Sequence, residues 1–354
     1  MSFKGFLKDS WEGIVGGLVV LVGVVTLTVI LHPILVPPPD ITPEENRYGL
    51  AEDSGDYTGE AFAAYPEAFA VEGGREDNSG RNVRLWEALL KRNPNWNNVR
   101  QPVGDCVAAS QCNGLQILGA IKGRDIIPYR PYTYGLARVT IGKNRPGCNS
   151  DGAVSSWAIE GFVSKGWLES QETTEPYNAK TARAWGCKGP PANYFEMTKG
   201  RTGTAHPVRS IDELIDALAN GFPCTIAGMF GTQEETIKKQ DGRWVATWND
   251  KWPHQMLFCG YDGSGPTKYF YLLNSWGNDW PQNKPPLQGE LPGGVWVTRE
   301  TVVRMLREGE CWALSDIQGF KVDPNEIDWS VFDVTARQPQ PKKNGSSHVL
   351  SMAL

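Results

Sequence analysis

Two β-prone runs, Gln255 to Tyr261 and Lys268 to Asn274, are separated by Asp262-Gly263-Ser264-Gly265, a composition that turns the chain back on itself as a hairpin. No other feature constrains the fold as much, because the start of one strand and the end of the next are neighbours in an antiparallel pair. His254, at the head of the first run, and Asn274, at the end of the second, are expected side by side.

Far upstream, Cys106 to Ile121 contains no Pro and carries apolar Val107, Leu115 and Leu118 with small residues between them. That pattern predicts a helix buried against another layer. Its first residue is a cysteine, and a thiol at a helix N-terminus gains stabilisation of its ionised form. Farther along, Ser210-Ile211-Asp212-Glu213 has the form of a capping box, Ile211, Leu214, Ile215 and Leu218 form an apolar stripe, and Gly221 supplies a stop. A strand is expected at Pro223 to Phe230.

A helix bearing Cys106 and a sheet bearing His254 and Asn274, meeting at a cleft, would assemble the parts of a thiol nucleophile system. A neutral thiol attacks an amide weakly, whereas a thiolate paired with an imidazolium does so at neutral pH, and His254 would keep Cys106 ionised and then pass its proton to the leaving amine. Asn274 would orient the ring, as the third member of such a triad does. The backbone N–H of Cys106 and the side-chain amide of Gln101 are the candidate oxyanion donors nearest in sequence.

These residues resemble the papain-like cysteine peptidases, the cathepsins among them, over about Gln101 to Leu314. Asn274-Ser275-Trp276-Gly277-Asn278-Asp279-Trp280 carries most of the resemblance, and in the family the first Trp shields the Asn–His hydrogen bond, a role that falls to Trp276. Gly147-Cys148-Asn149 and Glu175-Pro176-Tyr177 look like two further family segments, and His254 falls in the interval of roughly 130–150 residues expected after the nucleophile. The resemblance implies a two-lobed α+β fold, a helical lobe plus an antiparallel β-sheet or barrel lobe, and hydrolysis of peptide bonds in protein or peptide substrates. Departures are visible too. Gln101 is one residue closer to the cysteine than in the family, Val107 replaces a Trp, and Asp105 places a carboxylate beside the thiol, which opposes ionisation of the sulfur. No cysteine between Gln101 and Cys106 could pair with Cys148, so the family disulfide at that point is expected to be absent. Gly104-Asp105-Cys106-Val107 and Pro131-Tyr132-Thr133-Tyr134-Gly135 look closer to bacterial and phage members.

The N-terminus adds a second expectation. Ile14 to Leu31 has no charged residue and continues apolar to Val36, long enough at roughly 1.5 Å per residue to cross about 30 Å of hydrocarbon. A signal peptide has a shorter apolar region and a small-x-small cleavage site, which Val36-Pro37-Pro38-Pro39-Asp40 does not supply. The expected organisation is a cytoplasmic 1–13, a transmembrane anchor at 14–36, and a linker or docking segment at 37–95 that could be a divergent propeptide. A catalytic domain at 96–322 and a surface tail at 323–354 complete it. Lys4 and Lys8 precede the anchor and no basic residue follows until Arg47, so the catalytic domain is expected on the non-cytoplasmic side of a single-pass membrane protein. Within the docking segment, Glu60 to Val71 and Arg84 to Leu90 read as helices.

A net charge of −5 without a basic cluster argues against nucleic acid as a partner. No Cys-x-x-Cys pair exists, so a structural zinc site is not expected, and with nothing resembling a phosphate loop no cofactor is expected either. Seven cysteines leave six besides Cys106, enough for up to three disulfides or for buried thiols, and Cys224 and Cys259 read as packed core residues. His206, before a Pro in a polar stretch, reads as exposed. The leading reading is a membrane-anchored cysteine peptidase. Its rivals are an inactive papain-fold binding or structural subunit, of a cell envelope or phage particle, and a thiol transpeptidase or amidase.

Overall fold

The computed structural model describes residues 77–230, 234–248 and 253–317. The expected cytoplasmic segment, the anchor at 14–36, the helix at Glu60 to Val71 and the tail at 323–354 lie outside the described residues. Among the described residues no helix is long and apolar enough to cross a membrane.

The predicted hairpin forms: β6 (His254–Asp262) pairs antiparallel with β7 (Tyr269–Leu273), Leu257 opposite Leu273 and Asp262 opposite Tyr269. Every residue of both strands is buried, so the hairpin is the centre of the sheet rather than an edge. Around it the order is β2 (Gly203–Pro207), β9 (Glu310–Ile317), β3 (Cys224–Gly228), β6, β7, β8 (Gly294–Thr298), β5 (Arg243–Ala246) and β4 (Lys238–Gln240). Pairing is antiparallel throughout except between β5 and β8.

β1 (Asn82–Arg84) joins the far end of β6, and α1 (Trp86–Arg92) follows it. A helix was expected from Arg84. The chain instead stays extended there because Val83 faces Tyr261 across the ladder and Leu85 N–H donates to Cys259 O at 3.0 Å. Trp86 then lies fully buried against Tyr271, with ring centroids 4.5 Å apart. Gly260 makes room for it, since a Cβ there would sit 2.3 Å from Trp86 Cζ3.

The helical lobe is led by α2 (Cys106–Ile121), whose bounds are those read from the sequence. Around it lie α3 (Arg130–Gly135), which runs into a π-helical turn at Leu136–Ile141, then α4 (Ser155–Lys165), α5 (Ala179–Lys188) and α6 (Ala192–Met197). Helix α2 is buried on nearly every side because one face packs on these helices and the other on the sheet, where Ser110 Oγ donates to Met256 O at 2.7 Å. On the sheet lobe, α7 (Ile211–Ala219) opens with the expected capping box between Ser210 and Glu213, and α8 (Arg299–Glu308) precedes β9.

One local expectation is corrected. His206 is not exposed: it lies in β2 opposite Ala313 with 7% of its surface accessible, because β2 docks on β9 rather than looping over the surface. Burial holds its pKa below the usual histidine range. Cys148 pairs with Cys187 at the end of α5, a different bond from the family disulfide that the sequence lacks. The loop bearing Cys148 is drawn to that helix by Arg138, whose guanidinium donates to the carbonyls of Gly147, Ser150, Gly152 and Gly186. Cys106, Cys112, Cys224, Cys259 and Cys311 are buried thiols.

Candidate active site

Cys106 occupies the first position of α2 and is fully buried. The helix points its N-terminus at the start of β6, where the backbone of Gln255 hydrogen-bonds the sulfur and Gln255 Nε2 donates to Val107 O at 3.4 Å. The thiol therefore lies against the residue that follows His254. Burial pushes its pKa up to about 12; the Gln255 contact opposes this and the Asp105 charge adds to it.

His254 is 2% exposed, and its Nε2 donates to Asn274 Oδ1 at 2.8 Å. With the proton on Nε2, the other ring nitrogen is the acceptor. That atom, Nδ1, is buried and has no hydrogen-bond partner among the described residues. Burial lowers the ring's pKa to about 4, and the bond to Asn274 works the other way. Trp276 stacks on the imidazole with centroids 5.0 Å apart, and Trp280 meets Trp276 edge-on at 5.6 Å. The indole roof keeps water from competing for the His254–Asn274 bond, which strengthens it electrostatically.

Gln101 is anchored on both sides of its amide. Its Oε1 accepts from Ser275 Oγ at 2.5 Å and one Nε2–H goes to Val103 O at 2.9 Å. A primary amide has two N–H donors, so one is left for another acceptor.

Asp105 precedes the cysteine without capping the helix by its side chain. It is wholly buried, Tyr177 Oη donates to its Oδ2 at 2.6 Å, and its Oδ1 has no partner among the described residues. Arg130 packs over the Tyr177 ring at 5.5 Å while donating to Val99 O and Asn113 Oδ1. Burial raises the Asp105 carboxyl to about 6, against the lowering effects of Tyr177 and Arg130. Sequence reading singled out Asp105, but not the role of Tyr177 as its donor. On the outer side, Gly104 N–H donates to Asp151 Oδ2 at 3.3 Å, and Arg183 bonds the same carboxylate at 3.1 Å. A small apolar hollow beside His254 is lined by Ala227, Phe230, Trp248 and Met305, among others. Among the described residues, no group of three or more His, Cys, Asp or Glu side chains could hold a metal ion.

This geometry can be set beside known proteins. Residues 139–284 match the papain family of cysteine proteases, a stretch that takes in His254, Asn274 and Trp276 and begins after Cys106. Over that stretch the chain is similar to the papain-like cysteine peptidases. Among solved structures, xylellain, a cysteine protease from Xylella fastidiosa, superimposes with a TM-score of 0.54 at 19% identity, over 79% of this chain and all of that one, 100%. That likeness shows the papain-like α+β fold. Digestive procathepsin L 3 from the larval midgut of Tenebrio molitor gives a TM-score of 0.48 at 13% identity, covering 76% of each chain. No curated protein matches the sequence.

Proposed function

We propose that this papain-like domain hydrolyses peptide bonds through Cys106, His254 and Asn274. The observation that carries the reading is the His254 ring itself: Nε2 is committed to Asn274 under Trp276, while Nδ1 stays unprotonated, buried and unpartnered among the described residues.

At rest, burial favours neutral thiol and neutral imidazole. As the sulfur attacks the substrate carbonyl, its proton passes to His254 Nδ1, and the C–S bond forms while the carbonyl electrons move to oxygen. The resulting imidazolium donates through Nε2 to Asn274. The oxyanion takes the backbone N–H of Cys106, at the positive end of α2, and the second Nε2–H of Gln101. Collapse breaks the C–N bond, His254 returns its proton to the leaving amine, and water activated by the same ring then hydrolyses the thioester.

In this reading residues 14–36 anchor the domain in a membrane, with the catalytic domain on the non-cytoplasmic side. The motivation is the uncharged apolar run and the basic residues before it.

An inactive papain-fold subunit is favoured by one observation, the buried Asp105 carboxyl beside the thiol. Digestion of an unfolded protein substrate separates the two. The peptidase reading predicts cleavage that falls by about 1,000-fold or more in both Cys106→Ser and His254→Ala. Absence of cleavage by folded wild-type protein, or cleavage that survives Cys106→Ser, favours the inactive subunit.

A further inference from the structure

The Asn274 backbone is gripped from a segment that lies ahead of the nucleophile. Asn98, 1% exposed, donates through Nδ2 to Asn274 O at 2.8 Å and to Pro292 O at 3.4 Å. Its backbone N–H donates to Asn278 Oδ1 at 2.8 Å. Its own Oδ1 accepts nothing among the described residues, so the donors alone fix the side chain. The other side of Asn274 is held as well, its N–H donating to Gly293 O at 3.0 Å. Gly293 is shaped to the amide: at φ +84 it carries no side chain where a Cβ would lie 2.0 Å from Asn98 Nδ2. A second rung lies three residues on, where Gln101 N–H donates to Ser275 O at 2.8 Å and Gln101 Oε1 accepts from Ser275 Oγ.

The run from Asn98 to Cys106 therefore straps the loop bearing Asn274 to the helix bearing the nucleophile. Asn274 Oδ1 can hold the His254 ring at hydrogen-bond distance only if the Asn274 backbone is fixed, and misplacement of a catalytic group by about 1 Å can cost on the order of 100-fold in rate. We infer that Asn98 is a positioning residue for the His254–Asn274 pair: it touches neither substrate nor sulfur, and acts by fixing the carbonyl of Asn274. The inference rests on the peptidase reading for its effect on rate, but not for its effect on the His254 ring.

The test uses the folded protein with Asn98→Ala and Asn278→Ala. The latter removes the acceptor for the Asn98 N–H from an exposed residue, which leaves the fold intact if Asn98→Ala does not. Val99→Ala, next in sequence and partly exposed, is the control. Two readouts are taken: kcat and KM on a peptide substrate, and the His254 titration midpoint by NMR of the imidazole protons. The chain has 4 histidines, which makes assignment by substitution practical. Expected for Asn98→Ala are a kcat lower by about tenfold with KM changed by less than about twofold, since the loss falls on the reacting geometry. Its His254 midpoint should fall by about half a pH unit, because the Asn274 bond opposes the lowering by burial. Asn278→Ala should move both in the same direction by less, and Val99→Ala should move neither. A His254 midpoint unchanged in every folded variant overturns the inference, as does a lost activity that tracks only the folded fraction. If wild-type protein cleaves nothing, the peptidase reading fails, and the midpoint still decides the role of Asn98.

Discussion

Asp105→Asn isolates the electrostatic cost of a carboxylate next to the nucleophile. The substitution keeps the shape of the side chain and leaves an oxygen to accept from Tyr177, whose bond to Oδ2 is 2.6 Å long. Adjacent residues have Cα atoms about 3.8 Å apart, which puts the carboxylate and the sulfur on the order of 6 Å from each other. At that separation and an effective dielectric near 20, two like charges repel by about 3 kcal/mol, or roughly two pKa units. Arg130, against Tyr177, offsets part of this, so the variant should hold about 10- to 100-fold more thiolate wherever Asp105 is ionised.

The pH dependence gives the sign. Asp105 titrates at about 6, so the carboxylate is charged at pH 8 and mostly protonated at pH 5. The alkylation rate of Cys106, read by peptide mass spectrometry, should therefore be about 10- to 100-fold faster in Asp105→Asn than in wild type at pH 8, and the ratio should approach one at pH 5. A ratio near one at pH 8, or a large ratio that does not change with pH, refutes the reasoning. A ratio near one would mean that Tyr177 and Arg130 already neutralise the carboxylate, and a large pH-independent ratio would mean that the substitution acts other than through the titration of Asp105.

Three further outcomes are expected. Gly260→Ala drives a methyl group into Trp86, 2.3 Å from Cζ3, and should cost about 1–3 kcal/mol by urea unfolding, with part regained when Trp86→Ala is added; no loss would mean that the β1–α1 segment yields freely. Reducing Cys148–Cys187, which closes a loop with a sequence separation of 39, should lower stability by about 4 kcal/mol on the chain-entropy account; an unchanged urea midpoint under reductant would show that Arg138 alone holds the loop. Full-length protein should partition with membranes and a form lacking residues 1–36 should not; full-length protein starting at Met1 and recovered in the aqueous fraction without detergent would defeat the anchor.

The parts of the fold that could be read from sequence are those set by local chemistry. The Asp262-Gly263-Ser264-Gly265 turn specified the hairpin, and with it the meeting of His254 and Asn274. The uninterrupted small and apolar run after Cys106 specified α2, because burial on two sides requires small residues at close contacts. Asn98 was not legible: its amide bonds main-chain carbonyls, and a carbonyl leaves no trace in residue identity. Tyr177 is visible within Glu175-Pro176-Tyr177, but its pairing with Asp105 depends on how α5 is set against α2, which no local pattern specifies. The partner of Cys148 was hidden for a combinatorial reason, since seven cysteines allow many pairings and only the folded position of α5 selects Cys187. His206 has polar neighbours that resemble a loop, whereas pairing with β9 buries it.

The central claim is that Cys106 and His254 act as one nucleophile system, and thiol reactivity tests it most directly. Native protein treated with an alkylating agent near pH 6, with labelling followed at each cysteine, should modify Cys106 at least about tenfold faster than Cys112, Cys224, Cys259 or Cys311, since His254 takes the Cys106 proton as the sulfur attacks. In His254→Ala that preference should vanish. Cys106 labelling no faster than the other buried thiols, and indifferent to His254→Ala, would contradict the account and leave a papain-like fold without a working nucleophile.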